Sequence, residues 1–316
     1  MFLVCGEALF DFFLKTDSAH SLNFDARMGG SPYNVAVGLR RLGMDTALFT
    51  GLSDDFLGGK LLRALVAEGV ATGYIIQKSA PTTLSIVELE TAGIPRYAFY
   101  GQGAADRVLQ PADLPTLDAT ILGLHFGSFS LVCEPTASTL HAFGKRESTR
   151  RLISFDPNIR LIAVSDLDLW RRRVADWVAL ADVIKVSLED LTTLFPQADP
   201  LAVIQGWLAE GVGLVVLTKG EAGAVAFTAT CKTEVPAPQI SVVDTVGAGD
   251  AFQAALLHGL LTRNVTTRAQ LAALAPNILR EILTFASIAG ALTCTRAGAD
   301  LPSLADILAF SAKPKI

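Results

Sequence analysis

The run Asp244-Thr245-Val246-Gly247-Ala248-Gly249-Asp250-Ala251-Phe252 places two glycines, an alanine and a carboxylate directly ahead of a helical pattern. Small residues let the backbone curl, so that the N–H groups of Gly247, Ala248 and Gly249 converge at a helix N-terminus and attract an anion. Asp250, in the first turn, sits beside that anion and can accept a proton from a hydroxyl attacking phosphorus. The spacing suits phosphoryl transfer, although Gly-x-Gly-Asp alone is also an ordinary helix start. A second cluster, Gly29-Gly30-Ser31-Pro32-Tyr33-Asn34, lies far upstream. Paired glycines admit a ligand close to the backbone, Pro32 suits a first helical turn, and Asn34 offers an amide to hydroxyls. By itself this cluster is a helix cap. Arg160 follows a strand in Asp156-Pro157-Asn158-Ile159-Arg160, and its guanidinium suits bidentate contact with phosphate or sugar oxygens.

These residues need a scaffold. Short apolar runs at Phe2 to Cys5, Thr46 to Thr50, Ile121 to Phe126, Leu152 to Phe155, Val183 to Val186 and Leu214 to Leu217 alternate with helical stretches. The helical stretches are Pro32 to Leu42, Phe56 to Glu68, Pro135 to Arg146, Leu167 to Leu180, Leu201 to Glu210 and Ala251 to Leu261. The alternation predicts a parallel sheet covered on both faces, with ligands at the carboxyl ends of its strands. Two regions depart from it. Leu9 to Lys15 with Asn23 to Met28, and Thr83 to Glu90 with Arg96 to Tyr100, look like strands without intervening helices, the second pair turning near Ala92-Gly93. They predict a small β lid, inserted at about 9–28 and 80–107 into one domain spanning 1–316. An edge hairpin is the plainer alternative. Pro276 is placed to open a helix over Asn277 to Thr293.

The chain has 316 residues, 51% of them hydrophobic, and a formal net charge of −5. The acidic balance argues against nucleic acid, whose binding relies on Lys and Arg. Cys5, Cys133, Cys231 and Cys294 are far apart and form no C-x-x-C pair, as expected of reduced thiols in a cytosolic protein. The first apolar run stops at Gly6-Glu7, too short for a signal peptide, and none approaches the roughly 18 residues of a membrane span. A soluble, cytoplasmic protein is expected, with no nucleic acid or membrane partner.

Taken in order, Gly29 to Ala36 and Asp244 to Phe252 resemble the two signatures of the ribokinase-like sugar kinases, the PfkB family. Gly6-Glu7 with Asp11, Gly51 to Gly58, Phe155 to Arg160, Thr218-Lys219-Gly220 with Gly223, and Thr295 to Ala299 extend the resemblance over nearly the whole chain. No G-x-x-x-x-G-K-[ST] loop and no H-R-D with D-F-G is present. The resemblance implies a three-layer α/β/α fold, with ATP and magnesium as cofactors. It makes Asp250 the catalytic base and Gly247, Ala248 and Gly249 the anion hole. Thr218, Lys219, Gly220 and Gly223, with Lys185, correspond to nucleotide-binding positions. The family's magnesium motif falls on Lys185 to Leu191, where Glu189 and Asp190 are the acids and Asp190 replaces the usual Glu. A helix capped by Ser187 with two acids in its first turn is the alternative there, and does not exclude the first. Some members bind a monovalent cation such as potassium, at places matching Asp244, Val246, Thr293, Arg296 and Gly298.

For the substrate, Arg96 to Arg107 discriminates best. The family's ketodeoxygluconate kinases carry an Arg directly after Phe-Tyr, whereas this chain has Gly101 after Phe99-Tyr100. A buried carboxylate without a charged partner is costly, which favours a neutral sugar. The run from Phe99 to Arg107 is similar to bacterial fructokinases, and so implies transfer from ATP to the 6-hydroxyl of D-fructose. Asp11, Gly29, Gly30, Asn34, Phe99, Arg107 and Arg160 would then line the sugar. Ketodeoxygluconate with Arg107 as its counter-charge, ribose, a nucleoside, and a non-catalytic sugar-binding role remain as alternatives. An open lid edge would allow a homodimer.

Overall fold

The computed structural model describes residues 1–89 and 95–312; the expected turn at Ala92-Gly93 lies outside them. In chain order the strands are β1 (Phe2–Cys5), β2 (Leu9–Ser18), β3 (Ser21–Gly29), β4 (Thr46–Ser53), β5 (Ile75–Lys78), β6 (Leu84–Leu89), β7 (Pro95–Tyr100), β8 (Gly123–Gly127), β9 (Leu152–Asp156), β10 (Val183–Ser187), β11 (Leu214–Thr218), β12 (Ala224–Phe227) and β13 (Lys232–Val235). The helices are α1 (Ser31–Arg41), α2 (Phe56–Ala67), α3 (Thr136–Glu147), α4 (Leu167–Val178), α5 (Leu188–Leu194), α6 (Pro200–Ala209), α7 (Ala248–Leu261), α8 (Arg268–Ala272), α9 (Pro276–Cys294) and α10 (Leu304–Ser311).

The large sheet runs β13-β12-β11-β10-β9-β8-β1-β4-β5 and is parallel from β11 to β5. Alternate side chains of each strand enter two separate cores. Val4, Leu48, Leu152, Val183 and Val216 pack with Leu39 of α1, Leu256 of α7 and Ile282 of α9. Leu3, Phe49, Phe126, Phe155 and Ile184 pack instead with Phe143 of α3, Trp177 of α4 and Ile204 of α6. This double burial explains why the strands read as unbroken apolar runs, and it produces the expected three layers. The Trp177 ring lies 4.4 Å from Phe126 and 6.0 Å from Phe155, centroid to centroid.

Strand β4 continues past Thr50 to Ser53, and at Gly51 the Ala105 carbonyl lies where a side chain would point, so that position takes glycine. β5, β12 and β13 are four-residue strands without a long apolar run; β5 and β13 are the edges, and β12 and β13 close the sheet antiparallel. The second sheet has the order β3-β2-β6-β7. The two expected strand pairs are both present, and they join through a parallel pairing of β2 with β6, Phe10 opposite Leu84. No helix among the described residues is long and apolar enough to cross a membrane.

Candidate active site

Helix α7 starts immediately after Gly247, which is left-handed (φ 79°) and caps the helix without a side chain. A Cβ at Gly247 would lie 2.6 Å from the Ala299 Cβ, so conformation and space both select glycine. The N–H groups of Gly249 and Asp250, at the second and third helical positions, have no intrahelical acceptor, as at any helix N-terminus. The Ala248 N–H also reaches the Thr245 carbonyl at 3.3 Å, a long bond that closes the turn.

Asp250 is buried and held from both sides: Ser31 Oγ donates to Oδ1 at 2.6 Å, and Asn34 Nδ2 donates to Oδ2 at 2.8 Å. Both donors stand in the first turn of α1, which begins where Gly30 (φ 101°) turns the chain ahead of Pro32. A Cβ at Gly30 would sit 2.8 Å from the Glu7 carbonyl. Thus the two glycine-rich turns meet at one carboxylate. The Asn34 amide, expected on sugar hydroxyls, is directed to Asp250. Ser31 is a site residue whose only mark in the sequence is its place between Gly-Gly and Pro.

Asp11 on β2 fills the space that Gly29 leaves open. Burial pushes its carboxyl pKa up, the Ser85 hydroxyl and Arg160 pull it down, and Asp250 raises it further, so these groups share one electrostatic neighbourhood. Arg160 is exposed, with Nη1 donating to the Ile159 carbonyl at 3.0 Å. The Arg107 guanidinium carbon lies 4.8 Å from the Phe99 ring centroid and 4.7 Å from that of Phe129. Its Nε and Nη2 are buried without an acceptor among the described residues, leaving two charged donors for a ligand. A Cβ at Gly101 would lie 2.7 Å from the same guanidinium carbon. Gly101 therefore leaves room for Arg107.

A buried ion pair backs the helix terminus. Lys185 Nζ, on β10, donates to Asp156 Oδ2, on β9, at 2.7 Å, and the two side chains are 4% and 1% exposed. Nζ lies 3.1 Å from the point where a Gly249 Cβ would sit. Burial pulls the Lys185 pKa down, but Asp156, Asp190 and Asp250 more than offset this and the net direction is up. Burial pushes Asp156 up to about 6, with Lys185 opposing it. Asp156 had not been read as a site residue, although it opens the Asp-Pro-Asn run.

Asp190 is buried and its Oδ1 accepts the Ile159 N–H at 3.0 Å, while Ser187 Oγ accepts the Asp190 N–H at 2.9 Å. The helix-cap reading therefore holds, and the same carboxylate ties α5 to the loop carrying Arg160. Glu189 is exposed. Among the described residues no three His, Cys, Asp or Glu side chains form a metal cage. Magnesium held mainly by phosphates and water requires none, so a single nearby carboxylate is compatible with it.

Asp244 accepts from the Val246 N–H at 3.1 Å and the Gly298 N–H at 2.7 Å, joining the turn before α7 to the loop after α9. Thr293 Oγ1 donates to the Ala289 carbonyl at 3.0 Å, and Arg296 pairs with Asp306 at 3.2 Å. Thr218 to Gly223 form the turn between β11 and β12; Gly220 and Gly223 have positive φ (57° and 87°), and the Lys219 ammonium pairs with Glu234. The site therefore gathers Asp11, Gly29, Gly30, Asn34, Gly247, Gly249, Asp250 and Lys185. Arg107 stands with Phe99 and Phe129, and Thr218 to Gly223 form a separate turn.

The fold and this arrangement match those of phosphotransferases with an alcohol acceptor, and the family and relatives place the chain in that class. The chain belongs to the pfkB family of carbohydrate kinases, whose family model matches residues 1–306. It is 40% identical over 281 residues to a fructokinase of Rhizobium leguminosarum bv. trifolii, covering 89% of this chain and 86% of the relative. The structure of a Xylella fastidiosa fructokinase with bound ATP superposes with a TM-score of 0.90 at 30% identity, covering 98% of this chain and 97% of the other. A Vibrio cholerae O395 fructokinase in its fructose, ADP and calcium ion bound form gives 0.83 at 28% identity, covering 98% and 99%.

Proposed function

We propose that this protein transfers the terminal phosphoryl group of ATP to the 6-hydroxyl of D-fructose. The observation that carries the reading is the convergence of Ser31 and Asn34 on Asp250 in the first turn of α7. Asp250 takes the proton of the attacking hydroxyl as the oxygen–phosphorus bond forms, and ADP leaves with the electrons of the broken bond. The open N–H groups of α7 and the Lys185 ammonium hold the charge on the transferring oxygens, where preorganised donors act without reorganisation. Asp11, Arg107 and Arg160 orient the sugar. Thr218 to Gly223 contact the nucleotide, and Asp190, with Glu189, holds magnesium through water. Potassium would take the loop of Asp244, Val246, Thr293, Arg296 and Gly298.

The chain is read as one domain, with the four-stranded sheet as a lid that excludes water. β3 is an edge strand with Leu22 and Phe24 exposed, which supports pairing with a second copy. The fructose assignment rests on the likeness to fructokinases and on Gly101. One observation favours an acidic sugar instead: the unpaired, buried donors of Arg107 could meet a carboxylate. ADP release with ATP, magnesium and a panel containing fructose, ribose, ketodeoxygluconate and nucleosides separates them. Highest kcat/KM for fructose supports the proposal; preference for ketodeoxygluconate moves Arg107 to a carboxylate role and overturns it.

A further inference from the structure

On the face of the sheet under α7, the carboxyl halves of the central strands are polar. His125 on β8 lies opposite Ser154 on β9, and Gly127 lies opposite Asp156. Gln253, one turn beyond Asp250 on α7, donates from Nε2 to Ser154 Oγ at 2.8 Å, and His125 Nδ1 lies 3.0 Å from the same oxygen. His125 and Gln253 are fully buried and Asp156 is 1% exposed. Three of their polar atoms, His125 Nε2, Asp156 Oδ1 and Gln253 Oε1, have no partner among the described residues. Such buried atoms are rare and call for a cause.

The hydrogen-bond roles supply one. Ser154 Oγ accepts from Gln253, and the only acceptor recorded for its own proton among the described residues is His125 Nδ1. A neutral imidazole accepting at Nδ1 carries its proton on Nε2. Burial, with Lys185 nearby, pushes the His125 pKa down to about 3, which keeps the ring neutral. That Nε2 lies 3.6 Å from the point where a Gly127 Cβ would sit, and the Asp156 Cβ lies 3.6 Å from the same point. The Asp156 carbonyl oxygen is nearer still, at 2.7 Å, so only glycine keeps the gap between the free N–H donor and Asp156 clear of a side chain. Such a gap is polar enough to hold a water with several partners.

We propose that one internal water in the Gly127 gap links His125 Nε2–H to Asp156 Oδ1, making His125 a positioning residue that fixes Asp156 and, through it, holds the Lys185 ammonium against Gly249. The sequence of donors runs Gln253, Ser154, His125, water, Asp156, and ends on the ion pair behind the anion-binding turn. This rests on the phosphoryl-transfer reading of that turn. It explains why an otherwise apolar core face carries His125 opposite Ser154 and, two residues on, Asp156 opposite Gly127.

Nitrogen NMR of the unaltered, substrate-free protein tests the direction of the network. The expected state is a neutral His125 with its proton on Nε2; a proton on Nδ1 overturns the proposal whichever alcohol the enzyme accepts. In kinetics, His125→Phe removes the donor and is expected to raise KM for ATP by at least about fivefold, the effect of leaving one buried acceptor unpaired, with sugar KM unchanged. His125→Gln, which retains an acceptor and an outward N–H, should restore most of the ATP affinity. Equal losses for ATP and sugar, or no rescue by Gln, would reduce His125 to a packing residue and sink the idea.

Discussion

Asn34 donates its amide Nδ2 to Asp250 Oδ2 at 2.8 Å across a separation of 216 positions. With Ser31 on the other oxygen, this bond fixes the carboxylate plane before any substrate arrives. In the proposed mechanism a base oriented in advance needs no reorganisation during transfer, and Asn34 would act on the reaction through Asp250.

Asp250→Asn keeps the shape and removes the proton acceptor. It should lower kcat at least about a hundredfold while leaving ATP affinity little changed. Steady-state rates and calorimetric titration with ATP check both halves. Asn34→Ala should lower kcat about tenfold, in line with loss of a hydrogen bond to a charged group. If sugar KM rises more than kcat falls, Asn34 belongs to the substrate and not to the base.

Gly101 and Arg107 compete for one volume, since a Cβ at Gly101 would lie 2.7 Å from the guanidinium carbon. Arg107→Ala should raise sugar KM more than ATP KM. Gly101→Arg adds a second cation and displaces Arg107 from its place between Phe99 and Phe129, and should impair the neutral sugar at least as much. Unchanged fructose kinetics in Gly101→Arg would show that neither side chain meets the sugar.

Glu7 is fully buried; burial pushes it up from 4.5 to about 7, although the Ser130 and Ser128 hydroxyls oppose the shift. The folded protein therefore binds this proton more tightly than the unfolded chain. Between pH 4.5 and 7 the Glu7 contribution to stability falls as pH rises, and levels off above 7. Glu7→Gln removes the penalty, so it should match wild type near pH 4.5 and exceed it at pH 8, by at most about 3 kcal/mol. Urea midpoints at the two values decide. A variant less stable than wild type at pH 8 would mean that the hydrogen bonds from Ser130 and Ser128 outweigh the cost of burying the charge.

The parallel sheet was legible because strands buried on both faces keep unbroken apolar runs, as in Leu214 to Leu217. The two glycine-rich turns were legible because left-handed or crowded positions, as at Gly30 and Gly247, leave little choice of residue. The contact of Lys185 with Asp156 was not, since an ion pair between neighbouring strands 29 positions apart leaves no local pattern. The parallel pairing of β2 with β6, which joins the two insertions into one sheet, was hidden for the same reason. Nor could Asn34 be separated from a sugar ligand, because an amide that orients a carboxylate and one that binds a hydroxyl look alike in sequence.

Asp190 replaces the family's usual Glu, and its surroundings account for the shorter side chain. Its Oδ1 accepts the Ile159 N–H at 3.0 Å in a buried setting, a bond that another methylene would displace. Asp190→Glu should therefore destabilise the fold by about 1–3 kcal/mol, as overpacking does, and shift the adjacent Arg160, raising sugar KM. Asp190→Asn keeps an acceptor for Ile159 and removes only the charge, so stability should hold while half-maximal activity requires more magnesium. Thermal unfolding and magnesium titrations of both variants separate the two roles. If Asn leaves the magnesium requirement unchanged, the carboxylate serves the Arg160 loop alone, and the metal is held by phosphate, water and other side chains.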